Sequence, residues 1–130
     1  MADSMRYADW FHKAKSELES AEILMAHGGD YAVIAFLCQQ SIEKAYKGFI
    51  LKRMDELIEG HSLVYLCKIA MKTDNSLKEC MKDSAYVNQF YLETRYPSDT
   101  PMDISQLEAQ ECIDIANRIL SRITENNKVG

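Results

Sequence analysis

The stretch Gln39-Gln40-Ser41-Ile42-Glu43-Lys44-Ala45-Tyr46-Lys47 places charged and amide side chains inside a strongly apolar segment. At helical spacing Gln40, Glu43, Lys44 and Lys47 share one face, while Ala35, Cys38, Ile42, Ala45 and Phe49 form the opposite one. An amide, a carboxylate and two ammonium groups on one surface can meet phosphates and the edge of a base. The same residues also suit a solvated helix face, with a Glu43 to Lys47 pair contributing roughly 0.2–0.5 kcal/mol.

A second set follows in Tyr91, Arg95, Tyr96, Ser98 and Asp99. Tyr91 and Arg95 are four apart on one helical face, and Arg95 stands where a helix must end because Pro97 follows. A cation there is favoured by the helix dipole alone. Its functional alternative is a guanidinium and a phenol that hold a phosphate or stack on a base, with Asp99 orienting the arginine. Tyr91 and Arg95 also suit a structural tie to the second helix through Glu43. His61, with His12 and His27 elsewhere, supplies imidazoles but no fixed carboxylate or metal-ligand spacing. Ser41 and Ser62 lack a nucleophile-elbow context.

The elements that position these groups are helices. Trp10, Ala14, Leu18, Ala21 and Met25 recur at three- and four-residue steps and predict a first helix over about Met5 to His27, stopped by Gly28-Gly29. Asp30 caps a second from Tyr31 to Met54 whose first half, Tyr31 to Cys38, is apolar all round and must be covered on several sides. Ser62 caps a short third helix carrying Leu63, Leu66, Cys67 and Ala70. Ser76 with Glu79 reads as a capping box for a fourth that ends near Arg95. Asp103 with Gln106 opens a fifth, carrying Leu107, Cys112, Ile115, Ile119 and Ile123. No segment alternates with period two, so the expectation is an all-α, up-and-down antiparallel bundle of about five helices, four long and one short.

With 130 residues, 47% of them apolar, the chain suits one domain with a single core. A net charge of -5 argues against a general DNA-binding surface. Cys38, Cys67, Cys80 and Cys112 fall one per expected helix without metal or CxxC spacing, as small core residues in a reducing compartment do. No leader-like N-terminus and no apolar run of spanning length is present, so a cytoplasmic protein without a membrane partner is expected.

Taken in order, Trp10, Ala14 and Leu18, then Gly29-Asp30-Tyr31, the Gln39 to Lys47 stretch, His61-Ser62-Leu63, and Tyr91-x-x-x-Arg95-Tyr96-Pro97 resemble the HEPN domain, the higher eukaryote and prokaryote nucleotide-binding domain. The resemblance covers about Arg6 to Ile123. It implies a helical bundle, usually a homodimer, with a polar groove for a nucleotide or RNA. It also implies a partner, a minimal nucleotidyltransferase, in a toxin–antitoxin-like pair. On this reading the groove comprises Gln40, Glu43, Lys44, Lys47, His61, Tyr91, Arg95, Tyr96 and Asp99, with no cofactor and no metal. Catalytic members are metal-independent ribonucleases marked by an arginine followed, four to six residues on, by a histidine. Here Arg95 is present but Tyr96 to Met102 contains no histidine, so the expectation leans away from an enzyme. His61 is the one candidate to replace it, provided that it reaches the Arg95 groove. A protein-interaction and dimerisation module is the alternative, with Tyr31, Val33, Ile34 and Phe36 as candidate partner-facing residues. A weak endoribonuclease stands third.

Overall fold

The computed structural model describes residues 2–91, 97 and 103–128. Helix α1 spans Tyr7–Ala26, α2 Tyr31–Met54, α3 Leu63–Met71, α4 Met81–Asn88 and α5 Gln106–Lys128, with a 3-10 helix over Asn75–Cys80. Helix α2 is central and touches the other four. Contacts between Trp10 and Gly48 and between Glu17 and Lys44 show that α1 and α2 are antiparallel. Arg122 reaches Glu79, before α4, and Arg118 reaches Asp83 within it, so α4 runs against α5. Phe11 borders the same groove as Ile123, and Met25 lies beside Gln106, so α5 opposes α1 as well. The result is an up-down-up-down, all-α bundle with α3 packed on α2 and α4.

Local chemistry explains most boundaries. Gly28 takes φ +77 after α1, and Gly29 N–H returns to the Leu24 carbonyl at 2.6 Å. These are the marks of a helix closed by a left-handed residue. Asp30 accepts from the Ala32 N–H and Ser62 from the Tyr65 N–H, capping α2 and α3 as expected.

Two starts differ from expectation. Asp74, not Ser76, is the cap after α3, and its carboxylate accepts from both the Ser76 N–H and hydroxyl. The chain then forms a 3-10 helix because Leu77 and Cys80, three apart, are both buried, and three residues per turn keeps them on one line. The expected long fourth helix is thus a 3-10 segment followed by the short α4, and its expected end near Arg95 lies outside the described residues. Helix α5 opens at Ser105, not Asp103, because Ser105 and Glu108 satisfy each other's backbone N–H groups at 2.9 and 3.1 Å.

The core unites Ala14, Leu18 and Ala21 with Ile42, Phe49, Leu66, Phe90 and the α5 row Cys112, Ile115, Ile119 and Ile123. Trp10 and Met25 are only half-buried, and Leu107, expected inside, is 82% exposed. Of the candidate partner-facing residues, Ile34 is fully buried in its own core, whereas Val33 is exposed. Two buried hydroxyls tie α2 to its neighbours: Ser41 donates to the Ala14 carbonyl at 2.6 Å, and Tyr46 pairs with Ser84 at 2.6 Å. All four cysteines are free and buried. Burial pushes Cys80 up to about 11 and Cys112 up to about 12.

Gly48 sits mid-helix where glycine costs about 1 kcal/mol relative to alanine. A Cβ there would lie 2.8 Å from Phe11 Cε1 and 3.0 Å from Trp10 Cβ. The glycine is therefore what lets α1 approach α2. Gly48→Val is expected to lower the melting temperature by about 4 °C or more, from an overpacking cost of about 1–3 kcal/mol. An unchanged or raised melting temperature would show that α1 can shift freely. With thiolate formation suppressed by burial, a thiol reagent at pH 8 is expected to label no cysteine rapidly in the native protein and all four after denaturation. Rapid native labelling would mean that the core opens.

Candidate functional site

Glu43 lies on the central helix with its side chain 6% exposed, and two groups converge on its carboxylate. Lys47, one turn on and equally buried, donates to Oε2 at 3.1 Å. His61, in the loop before α3, brings Nδ1 to 3.0 Å from Oε1 and 3.1 Å from Oε2. A carboxylate only accepts, so Nδ1 carries the proton and the imidazole orientation is set. Trp10 of α1 lies beside the lysine, with the Lys47 ammonium 6.0 Å from its ring centroid.

The loop residue is held twice by the same face of α2. Gln39 Nε2 donates to the His61 carbonyl at 3.0 Å, one helical turn before Glu43 grips the ring. Ser62 caps α3 immediately afterwards, and Asn88 Oδ1 accepts the Leu63 N–H at 2.8 Å, locking the end of α4 to the start of α3. Tyr91 then stacks on His61 with ring centroids 5.4 Å apart and planes 20° from parallel. Its expected tie to the second helix through Glu43 is made by way of His61. The His61 side chain remains 50% exposed, and among the described residues no hydrogen bond reaches its Nε2. A buried charge pair thus ends in a fixed imidazole edge at the surface, free to accept a proton donor when neutral and to donate when charged.

Gln40 and Lys44 belong to a different group. The Lys44 ammonium is 2.9 Å from Glu17 Oε1 of α1, off the line of a hydrogen bond, and donates to Gln40 Oε1 at 3.2 Å. The stripe therefore divides into two neutralised pairs facing α1 and the α3 loop. The solvated-face alternative fails on exposure: its Glu43–Lys47 pair forms, but inside the fold. Sequence reasoning missed Glu17, whose signal was its place one turn after Ala14 beside buried Leu18, and Gln39, assigned to neither face. Gln39 Oε1 and Gln40 Nε2 are buried without a hydrogen-bond partner among the described residues.

Arg95, Tyr96 and Asp99 lie outside the described residues, as does Ser98. His12 and His27 are exposed on or just after α1 and take no part in the His61 cluster. Among the described residues no group of His, Cys, Asp or Glu is arranged to hold a metal ion, and no helix is long and apolar enough to cross a membrane.

Removing one partner of a buried ion pair strands the other charge, at a cost of about 3 kcal/mol or more. Lys47→Ala is expected to lose that much in denaturant unfolding, and the double variant Glu43→Leu/Lys47→Leu to recover more than half of it. A single-variant loss below about 1 kcal/mol would place the pair in water-like surroundings.

The family model of the HEPN domain matches residues 7–127. Among solved structures, TT1696 from Thermus thermophilus is similar at a TM-score of 0.82 and 30% identity, over 94% of this chain and 98% of that one. ST0689, an archaeal HEPN homologue, is similar at a TM-score of 0.73 and 28% identity, over 93% of this chain and 97% of that one. No curated protein sequence matches. With a family match over nearly its whole length and similar solved structures that align over more than nine-tenths of it, the chain belongs to the HEPN domain family.

Proposed function

We propose that this chain is a cytoplasmic nucleotide-binding domain that is not itself a catalyst, acting as a homodimer beside a minimal nucleotidyltransferase in a toxin–antitoxin-like pair. The observation that supports ligand binding is the His61 ring, half exposed, stacked on Tyr91 and fixed from beneath by Glu43. Such an aromatic pair offers a shelf to a nucleobase, and base stacking contributes about 1–3 kcal/mol. The open Nε2 adds one directional hydrogen bond at its edge. Arg95 supplies the phosphate contact in this reading, because Lys44 and Lys47 each already face a carboxylate within 3.1 Å. The lack of a histidine shortly after Arg95 supports the non-catalytic part.

One observation favours the second reading, a pure interaction module: both lysines of the stripe are neutralised within the fold, which removes the most obvious anion contacts. Calorimetric titration with ATP, GTP and a short RNA separates the readings, run on the wild type, His61→Ala and Arg95→Ala with RNA integrity followed in the same samples. Saturable binding that weakens about tenfold or more in each variant, with intact RNA, is the expected result. Undiminished affinity in His61→Ala would remove the aromatic shelf from the site. RNA cleavage without added metal that disappears in Arg95→Ala would make the chain an endoribonuclease. No binding to any of the three would leave the interaction module.

A further inference from the structure

On the side of α2 away from the Glu43 cluster the bundle is open. At about 100° per residue Ala45 points roughly opposite to both Glu43 and Lys47. Helices α1 and α5 both pack on α2, and where they part they leave a groove of about 530 Å³. Phe11 and Leu18 of α1 face Leu120 and Ile123 of α5 across it, and Ala14 and Ala45, small side chains, leave its base open. The rim is polar and one-sided in charge. His12 and Lys15 stand three apart on α1, opposite the neutral Asn117, Ser121 and Thr124 on α5. Among the described residues no carboxylate lines the groove, although the chain carries 20 acidic residues against 15 Lys and Arg. The neighbouring α5 arginines are turned elsewhere, Arg118 to Asp83 and Arg122 to Glu79.

We propose that this groove binds a small amphipathic anion, an apolar chain or ring system bearing a single carboxylate, sulfonate or phosphate. The apolar part lies between Phe11, Leu18, Leu120 and Ile123, and the anionic head sits at the rim beside His12 and Lys15. The hydroxyls and amide of the α5 rim serve the head group as neutral donors. The volume falls in the range of small-molecule sites, about 300–1,000 Å³, and so does the lining, mostly apolar with a few polar groups on one edge. A protein partner would need about 800 Å² of contact with an apolar centre that continues beyond the groove. None of the exposed large apolar side chains, Met5, Tyr7, Ile23, Val33, Tyr65 and Leu107, lines it. The site is separate from the His61 surface and does not depend on nucleotide binding there.

The test uses the fluorescent anion 1-anilinonaphthalene-8-sulfonate and its uncharged analogue N-phenyl-1-naphthylamine on the native full-length chain. The wild type is expected to bind the anion saturably at one site, with decanoate displacing it, and to bind the neutral analogue about threefold or more weakly. Lys15→Glu is expected to weaken the anion by about threefold or more and to leave the neutral probe unchanged, a split that a merely structural role would not produce. Ser121→Trp, at an exposed rim position, fills the groove without entering the core and is expected to weaken both probes about tenfold or more, with helical content and melting temperature retained. Three results would each overturn the proposal: no saturable anion binding, equal affinity for the two probes, or binding indifferent to Ser121→Trp. Sedimentation showing a wild-type dimer that Ser121→Trp converts to a monomer would also overturn it, because the groove would then be a contact between copies.

Discussion

Glu43 carries a carboxylate at 4% residue exposure in the helix that every other helix touches, so the charge has to be balanced where it stands. Lys47 is available at the next turn of the same helix, but one ammonium leaves carboxylate lone pairs to satisfy. His61 meets that need, and doing so draws the loop before α3 onto α2. Gln39 fixes the same loop through the His61 backbone, and Asn88 fastens the start of α3 to the end of α4. The path of the loop and the stack on Tyr91 therefore follow from satisfying one buried carboxylate, while Gln39, Asn88 and the buried face of α3 hold that helix in place.

The second constraint is the closeness of α1 to α2. Gly48 removes the side chain where Trp10 and Phe11 press against the central helix, and the buried Ser41 hydroxyl satisfies the Ala14 carbonyl across the same contact. Bringing α1 this near is what puts Trp10 beside Lys47 and Glu17 beside Lys44. Close packing thus accounts for the pairing of Lys44 with Glu17 and for the aromatic cover on Lys47, whose own charge is balanced within α2 by Glu43. On the other side the groove has Ala14 of α1 and Ala45 of α2 at its base, whose small side chains leave it open.

These two constraints give the two sides of α2 different chemistry. One side converts buried charge into a surface imidazole of fixed orientation, backed by an aromatic ring. The other is apolar at its base, with His12 and Lys15 on one lip and, among the described residues, no acid in its lining. Neither depends on the cysteines, whose thiols are held protonated by burial in the core.

The sequence by itself determined the helices and the order of their faces. Glycine pairs, Asp30 and Ser62 act within a turn of themselves, and apolar residues at three- and four-residue steps have one helical solution. It was less decisive at Asp74 and Ser105, where two polar residues two positions apart compete to cap and the burial of Leu77, Cys80 or Ile104 decides between them. It identified Glu43, Lys47 and His61 as residues able to do chemistry, but 18 positions separate Glu43 from His61, and no periodicity reports a contact across a loop. Only the tertiary structure decided that Glu43 and Lys47 of the polar stripe are buried, that the stripe splits into two pairs, and that His61 carries it to the surface. Charge burial and helix-to-helix distance are properties of three or more elements packed together, and no one segment of the chain encodes them.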